Sequence, residues 1–302
     1  MQHYDSDTQH RPLPGRERMR IRDAWSAFWN DPASGLQCVR GAPDVTAALA
    51  AHWHGFASTL GGGARVLDLG CGAGAAARAL VEARGDLSVT GIDFARVPPS
   101  PDRRIALISG RPMEQPGFGP AAFDAAVSQF GFEYGRTHRT ARQLARILAP
   151  GAPFSFVVHH AGSSVVAANR ARLELILAVT APGMRAAFLA GSGFLLAARL
   201  DALRRAHPGD TLAAELARLL PLRARQGARD RALAWNALEE ALAPERTILE
   251  ALDACCVDPE ELGGWLGPLG QFFAIAGVRV LRKANGDTIA WAVAGTRLEA
   301  AP

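Results

Sequence analysis

Apolar positions recur along this chain with two periods, and the switches between them mark out its elements. Ile21 to Asn30 carries Trp25, Phe28 and Trp29 at helical spacing, and Asp31-Pro32 is a stop. Pro43-Asp44 opens a second helix through Leu60, with Val45, Leu49, Trp53, Phe56 and Leu60 on one face, and Gly61-Gly62-Gly63 ends it. An apolar strand from Val66 to Leu69 then leads through glycines into an alanine-rich helix ending near Leu80 and Val81. Further strands are expected at Leu87 to Ile92, Ile105 to Ser109 and Phe123 to Val127, with Pro98, Pro99 and Pro101 marking a loop among them. A helix over Thr137 to Leu148 stops at Ala149-Pro150-Gly151, and a strand from Pro153 to Val158 finishes in His159-His160. Strands alternating with helices in this way predict an α/β protein built on a parallel sheet.

The texture changes at Gly162. From there to about Gly264 the pattern is helical, with Leu212, Leu216, Leu219 and Leu220 on one face and Ile248, Leu252, Cys255 and Cys256 on another. The run Ala186 to Ala198, bounded by Arg185 and Arg199, reads as one apolar helix that is too short to span a bilayer. Asp258-Pro259-Glu260-Glu261 reads as a helix start, with a cap, a proline and a reciprocal acid. Phe272 to Arg282 and Thr288 to Val293 flank Asn285-Gly286, a strong hairpin signal. The expected organisation is a helical cap over residues 1–60 whose first twenty residues are disordered, a sheet core over 61–161, a helical insertion or lid over 162–264, and strands over 265–302 that complete the sheet.

Composition narrows the class. With 302 residues and 49% apolar content the chain can bury a large core. The formal net charge is +4, but the arginines are scattered among acids and form no long run, so the charge does not by itself imply nucleic acid, which is not an expected partner. Cys38, Cys71, Cys255 and Cys256 show no metal-ligand spacing, and the adjacent pair makes no ordinary bridge, so a reducing compartment and no structural metal are expected. His52 and His54 stand two apart and do not share a helix face, so they read as a structural or surface pair. The polar start is neither a signal peptide nor a transit helix, and a cytoplasmic location without a membrane span is expected.

The chemistry concentrates in Asp68-Leu69-Gly70-Cys71-Gly72-Ala73-Gly74. Alternate glycines allow a sharp turn and a close approach of ligand to backbone, and the following helix offers unpaired N–H groups at its N-terminus. Asp68, at the mouth of the strand, suits a positively charged ligand. Asp93, closing the next strand about twenty residues on, is placed to accept from ribose hydroxyls. A nicotinamide-binding turn is the rival reading, since Gly70-x-Gly72-x-x-Ala75 also satisfies the dinucleotide fingerprint; a carboxylate at Asp68 would repel a pyrophosphate.

This acidic-x-Gly-x-Gly-x-Gly pattern with a second acid resembles the class I S-adenosylmethionine-dependent methyltransferases. The resemblance implies a Rossmann-like, mostly parallel sheet with a C-terminal antiparallel hairpin strand, here with an inserted helical subdomain. It implies S-adenosyl-L-methionine as cofactor, with Asp68, Gly70, Cys71, Gly72 and Gly74 around its methionine half and Asp93 and Phe94 at the ribose. Many members place an acid after the glycine that corresponds to Gly110; Arg111 stands here, leaving Met113, Glu114 or a backbone amide for the adenine. Phe123-Asp124-x-x-Val127-Ser128-Gln129-Phe130-Gly131 resembles a segment of the small-molecule, type 11-like members, which puts Ser128 and Gln129 beside the cofactor.

The same resemblance, with the rule that ligands bind outside the carboxyl ends of parallel strands, places Glu133, His159 and His160 near a methyl acceptor as candidate catalytic residues. Histidine titrates near neutrality and could take a proton from an attacking hydroxyl. No Asn/Asp-Pro-Pro-aromatic segment follows the fourth strand, so a base amino group is disfavoured as acceptor and a small molecule is expected. The helical insertion is a candidate lid or a surface for a second copy or a protein partner. The other readings are an NAD-dependent oxidoreductase and a non-catalytic member that serves as a binding partner.

Overall fold

The computed structural model describes residues 15–31 and 42–299. The disorder expected before residue 15, the stop at Pro32 and Cys38 lie outside them. Among the described residues seven strands form one sheet: β1 (Arg65–Leu69), β2 (Ser88–Ile92), β3 (Ile105–Ile108), β4 (Ala125–Gln129), β5 (Pro153–His159), β6 (Phe273–Arg282) and β7 (Thr288–Arg297). Their order across the sheet is β3-β2-β1-β4-β5-β7-β6. All neighbours from β3 to β5 are parallel, and β7 runs antiparallel to both β5 and β6. This is the expected mostly parallel sheet with one reversed strand, supplied by a hairpin that turns at Gly286 (φ 91°).

Both faces of the sheet are covered, which is why β1 and β4 read as continuous apolar runs. Helices α2 (Pro43–Ser58) and α3 (Ala75–Ala83) belong to one core with Val66, Val89, Val127 and Val157, centred on Trp53 and Leu80. Helices α4 (Thr137–Ile147) and α10 (Leu262–Gly270) belong to the other, with Leu67, Ala126, Phe154 and Phe156, centred on Phe132, Leu144 and Leu269. Adjacent residues of a strand thus enter opposite cores, as a period of two requires. Each large side chain buried this way contributes about 1.5–3 kcal/mol.

Helix α1 (Gly15–Asn30) starts earlier than expected. Residues 15–20 are helical rather than disordered because Arg18 is tethered, its guanidinium 2.8 Å from Glu114 and over the Phe94 ring.

Helices α5 (Ser164–Val179), α6 (Pro182–Leu189), α7 (Gly193–Ala206), α8 (Thr211–Ala224) and α9 (Ala228–Cys255) follow β5. Residues 168–250 form one compact unit and the remainder another. The helical unit has its own core of Leu175, Phe188, Leu196, Leu216 and Trp235. Within it Arg172 bridges Asp210 at 3.2 Å and Glu245 at 2.9 Å. Two helix expectations need correction. The run Ala186 to Ala198 is not one helix: Gly191 (φ 66°) ends α6 in the left-handed conformation and α7 starts afresh at Gly193. The helix expected to open at Asp258 begins at Leu262, because the Asp258 carboxylate accepts the Glu260 N–H (3.0 Å) and closes a turn instead.

Candidate functional site

The carboxyl ends of β1, β2, β4 and β5 bring most of the singled-out residues to one edge of the sheet. After β1 the chain turns with Gly70, Gly72 and Gly74 at φ 63°, 49° and 82°. Such angles suit glycine because a Cβ there would press on the neighbouring carbonyl. The turn is fixed from β2: Gly70 and Cys71 both donate to the Ile92 carbonyl, at 2.9 and 3.1 Å. Asp93 completes the brace. One of its oxygens accepts from Gly72 N–H and the other from Ala95 N–H, each at 2.8 Å. Burial raises Asp93 to about 6, against the pull of those two amides.

Asp68 is buried, and neither oxygen has a hydrogen-bond partner of ordinary geometry. Burial first, and the nearby Asp93 charge second, push it up to about 8, with the Ala77 amide and Arg78 opposing. A carboxylate in this condition binds either a proton or an external cation. The Cys71 thiol is buried and pushed up by burial and by both aspartates. It lies against Gly91, where a Cβ would come within 2.7 Å of its sulfur, so only the Cys71 backbone belongs to the turn's open side.

Helix α1 lies over the turn. A Cβ at Gly72 would collide with the Trp29 indole, which is buried with Ala73, Ala95 and Val97. Ser26 Oγ accepts the Arg96 N–H (2.9 Å), Asn30 donates to the Arg96 carbonyl (3.0 Å), and Trp25 meets Tyr134 edge to face at 6.0 Å. Glu114 ties this cover to the far side, accepting from Arg18 with one oxygen and from Arg136 N–H (3.1 Å) with the other. Phe94 sits under Arg18, with 5.0 Å between guanidinium and ring centre. Arg111 turns away into its own loop, donating to the Pro116 carbonyl at 3.1 Å. Met113 packs against Gly135, next to Tyr134.

Near the end of β4, the Ser128 hydroxyl donates to the Leu69 carbonyl (2.7 Å) and accepts Phe132 N–H (2.9 Å), clamping the ends of β1 and β4 together. The Gln129 amide oxygen accepts from Trp53 Nε1 at 2.6 Å. Phe130, buried at φ 56°, is held in the left-handed region and stacks on His159 with centroids 4.3 Å apart. Glu133 Oε1 accepts from both the His159 backbone N–H (2.9 Å) and its Nδ1 (2.7 Å). Because that oxygen is an acceptor, Nδ1 carries a proton. Both residues are buried, and Glu133 Oε2 has no partner.

His160, the next residue, departs from this cluster. It stacks on Trp291 at 4.4 Å and its Nδ1 accepts the Gly162 N–H at 2.9 Å, closing the turn after β5. Burial lowers its pKa. The strand's alternation thus separates the two histidines. His52 is likewise committed: Nδ1 accepts from Arg279 (2.8 Å) and Nε2 meets Ser155 Oγ (3.0 Å), while burial and the Arg279 charge depress it to about 4. The sequence pattern alone did not single out Trp29, Arg18 or Glu114 as parts of one cover. Their link spans 96 residues of chain, and only the aromatic cluster on α1 hinted at it.

Residues 66–151 match a family model described as a methyltransferase domain. No curated protein matches the chain. Among solved structures, the Burkholderia thailandensis 1,6-didemethyltoxoflavin-N1-methyltransferase with bound 1,6-didemethyltoxoflavin and S-adenosylhomocysteine aligns with a TM-score of 0.50 at 11% identity, covering 96% of this chain and 93% of that one. A chain of the Haloferax volcanii complex of the Trm112 methyltransferase activator aligns at 0.38 and 25% identity, over 46% of this chain and 62% of that one. An S-adenosylmethionine-dependent methyltransferase from Methanosarcina mazei aligns at 0.40 and 16% identity, over 80% and 96%. What the first of these shares with the chain is the fold.

Proposed function

We propose that this chain, a class I S-adenosylmethionine-dependent methyltransferase by its sheet order and its methyltransferase domain, methylates a small-molecule acceptor and uses His159 to take up the acceptor's proton. The observation that carries the reading is the buried Glu133–His159 pair at the carboxyl end of β5.

The residues of the turn fit the cofactor. Asp68, buried without a partner, matches an ammonium group, and the turn's glycines take the left-handed backbone that a sharp turn at the strand end requires. Asp93 spends one lone pair on the turn and one on the Ala95 N–H, and a carboxylate has about four acceptor positions, so ribose hydroxyls can still be held. When bound, S-adenosylmethionine supplies a methyl group already activated on a sulfonium. The protein's task is then alignment and, for an O–H or N–H nucleophile, proton removal. Glu133 orients the His159 ring and stabilises the imidazolium it becomes; Nε2 receives the proton. Phe130 fixes the ring plane from one side.

Gln129-Phe130-Gly131-Phe132 stands where a base-amino methyltransferase carries its proline motif. The Burkholderia relative binds 1,6-didemethyltoxoflavin on the same fold. Both favour a small acceptor. The test is incubation with methyl-labelled S-adenosylmethionine and a panel of small phenols, alcohols and amines. Label on one or more small molecules is expected; label only on protein or nucleic acid would overturn the reading.

A further inference from the structure

One end of the helical unit combines exposed apolar side chains with unpaired basic ones. Arg231 gathers this end, donating to the Leu189 carbonyl at 2.8 Å and the Gln226 carbonyl at 2.6 Å. A Cβ on Gly191 would lie 3.3 Å from the Ala224 carbonyl oxygen. The α6–α7 turn, the end of α8 and the start of α9 are thereby one patch of surface. Phe194 is 83% exposed on it, with Leu195 at 52% and Leu222 at 54%. A single exposed leucine needs no explanation, but a nearly bare phenylalanine beside two of them does.

The charges around these side chains have one sign. Arg223, Arg225 and Arg229 are exposed, and Asp230 is the sole carboxylate between Pro221 and Leu233. Exposed Arg185 and Arg199 bound the other side, with no acid between them. Other arginines of this unit, Arg172, Arg204, Arg205 and Arg246, pair with carboxylates instead.

We propose that this end docks on an anionic lipid surface, Phe194, Leu195 and Leu222 entering the headgroup boundary while the arginines meet lipid phosphates. Apolar tips inside a basic rim gain from both burial and attraction to anionic lipid, and arginine stems lie along the boundary with their heads outward. A second copy is the poorer occupant, since a two-fold contact would set arginine against arginine. A nucleic acid would satisfy the arginines and leave the apolar tips facing phosphate. No described helix is long and apolar enough to cross a membrane, so the contact is peripheral.

The test is co-sedimentation of the full chain with phosphatidylcholine vesicles, with and without about one third phosphatidylglycerol. The expected result is binding to the anionic vesicles only, weakened in 0.5 M salt on the order of tenfold. Phe194→Ser/Leu195→Ser and, separately, Arg223→Glu/Arg225→Glu should each reduce binding about tenfold or more, with the circular dichroism spectrum and S-adenosylhomocysteine affinity unchanged. Absence of vesicle binding by the wild type, equal binding to neutral vesicles, or unaltered binding by both variants would overturn the proposal. So would a concentration-dependent dimer, or retention on duplex DNA or RNA, abolished by the same substitutions while vesicle binding persists.

Discussion

A single oxygen of Glu133 accepts both the backbone N–H and the ring Nδ1–H of His159, at 2.9 and 2.7 Å. The first bond fixes the carboxylate to β5 and the second fixes the imidazole to the carboxylate, so the ring's tautomer is set by the fold. His159→Ala should lower turnover about a hundredfold or more while S-adenosylhomocysteine affinity stays within about threefold. Glu133→Gln should leave cofactor affinity alone and lower kcat, since the imidazolium formed in turnover loses its counter-charge. His160→Ala, removing a turn contact and a stack on Trp291, should change turnover less than about threefold. Stopped assays across pH with the labelled methyl donor measure all three.

Asp68 gives a pH signature. Its folded pKa of about 8, and that of about 6 for Asp93, lie above the usual aspartate value. The folded protein therefore holds these protons more tightly than the unfolded chain. Stability of the cofactor-free protein is full below about pH 4 as far as these groups are concerned, and falls as pH rises through 6 and then 8. Asp68→Asn should flatten the upper part of that fall in melting curves. It should also weaken S-adenosylmethionine by roughly 1.5–3 kcal/mol, the worth of a charged hydrogen bond, and abolish the rise in affinity expected between pH 6 and 8.

Gly72→Val should act through Trp29. The substitution forces a branched residue to φ 49° and drives its Cβ into the indole, so α1 must lift. Loss of S-adenosylhomocysteine binding is expected, together with a red shift of tryptophan emission and faster proteolysis within residues 15–31. Retained binding with the spectrum unchanged would contradict this.

Asp93→Ala should cost stability as well as affinity. Two backbone amides, one in the turn and one in the loop after β2, lose their acceptor, at about 1–3 kcal/mol for each buried donor left bare. A lower melting temperature without cofactor is the outcome to measure, and an unchanged one would mean the turn holds itself.

The fold was legible because its signals are local: period-two strands, the glycine turn and the Asn285-Gly286 hairpin each depend on a few adjacent residues. The site was partly legible for the same reason. Asp68 and the glycines stand out in sequence, but the commitment of Ser128 to the Leu69 carbonyl does not, since its partner is 59 residues away. The separation of His159 from His160 follows from strand alternation, yet which of them meets Glu133 depends on packing across β4 and β5. Apolar content hid the break at Gly191, where composition is continuous and only a left-handed residue interrupts the helix. Asp258 carried a cap's chemistry and spent it on a turn four residues before the helix.

The sheet's order has a consequence for how the chain is made. β7 is inserted between β5 and β6, and among the described residues β6 has no neighbour but β7. While residues 288–297 are still inside the ribosome, β5 is an exposed edge and β6 an unpaired strand. The helical unit is continuous over 168–250 and its local contacts can form as soon as it emerges. The nascent protein would then hold a finished helical unit while the strands on either side of it wait for the last one.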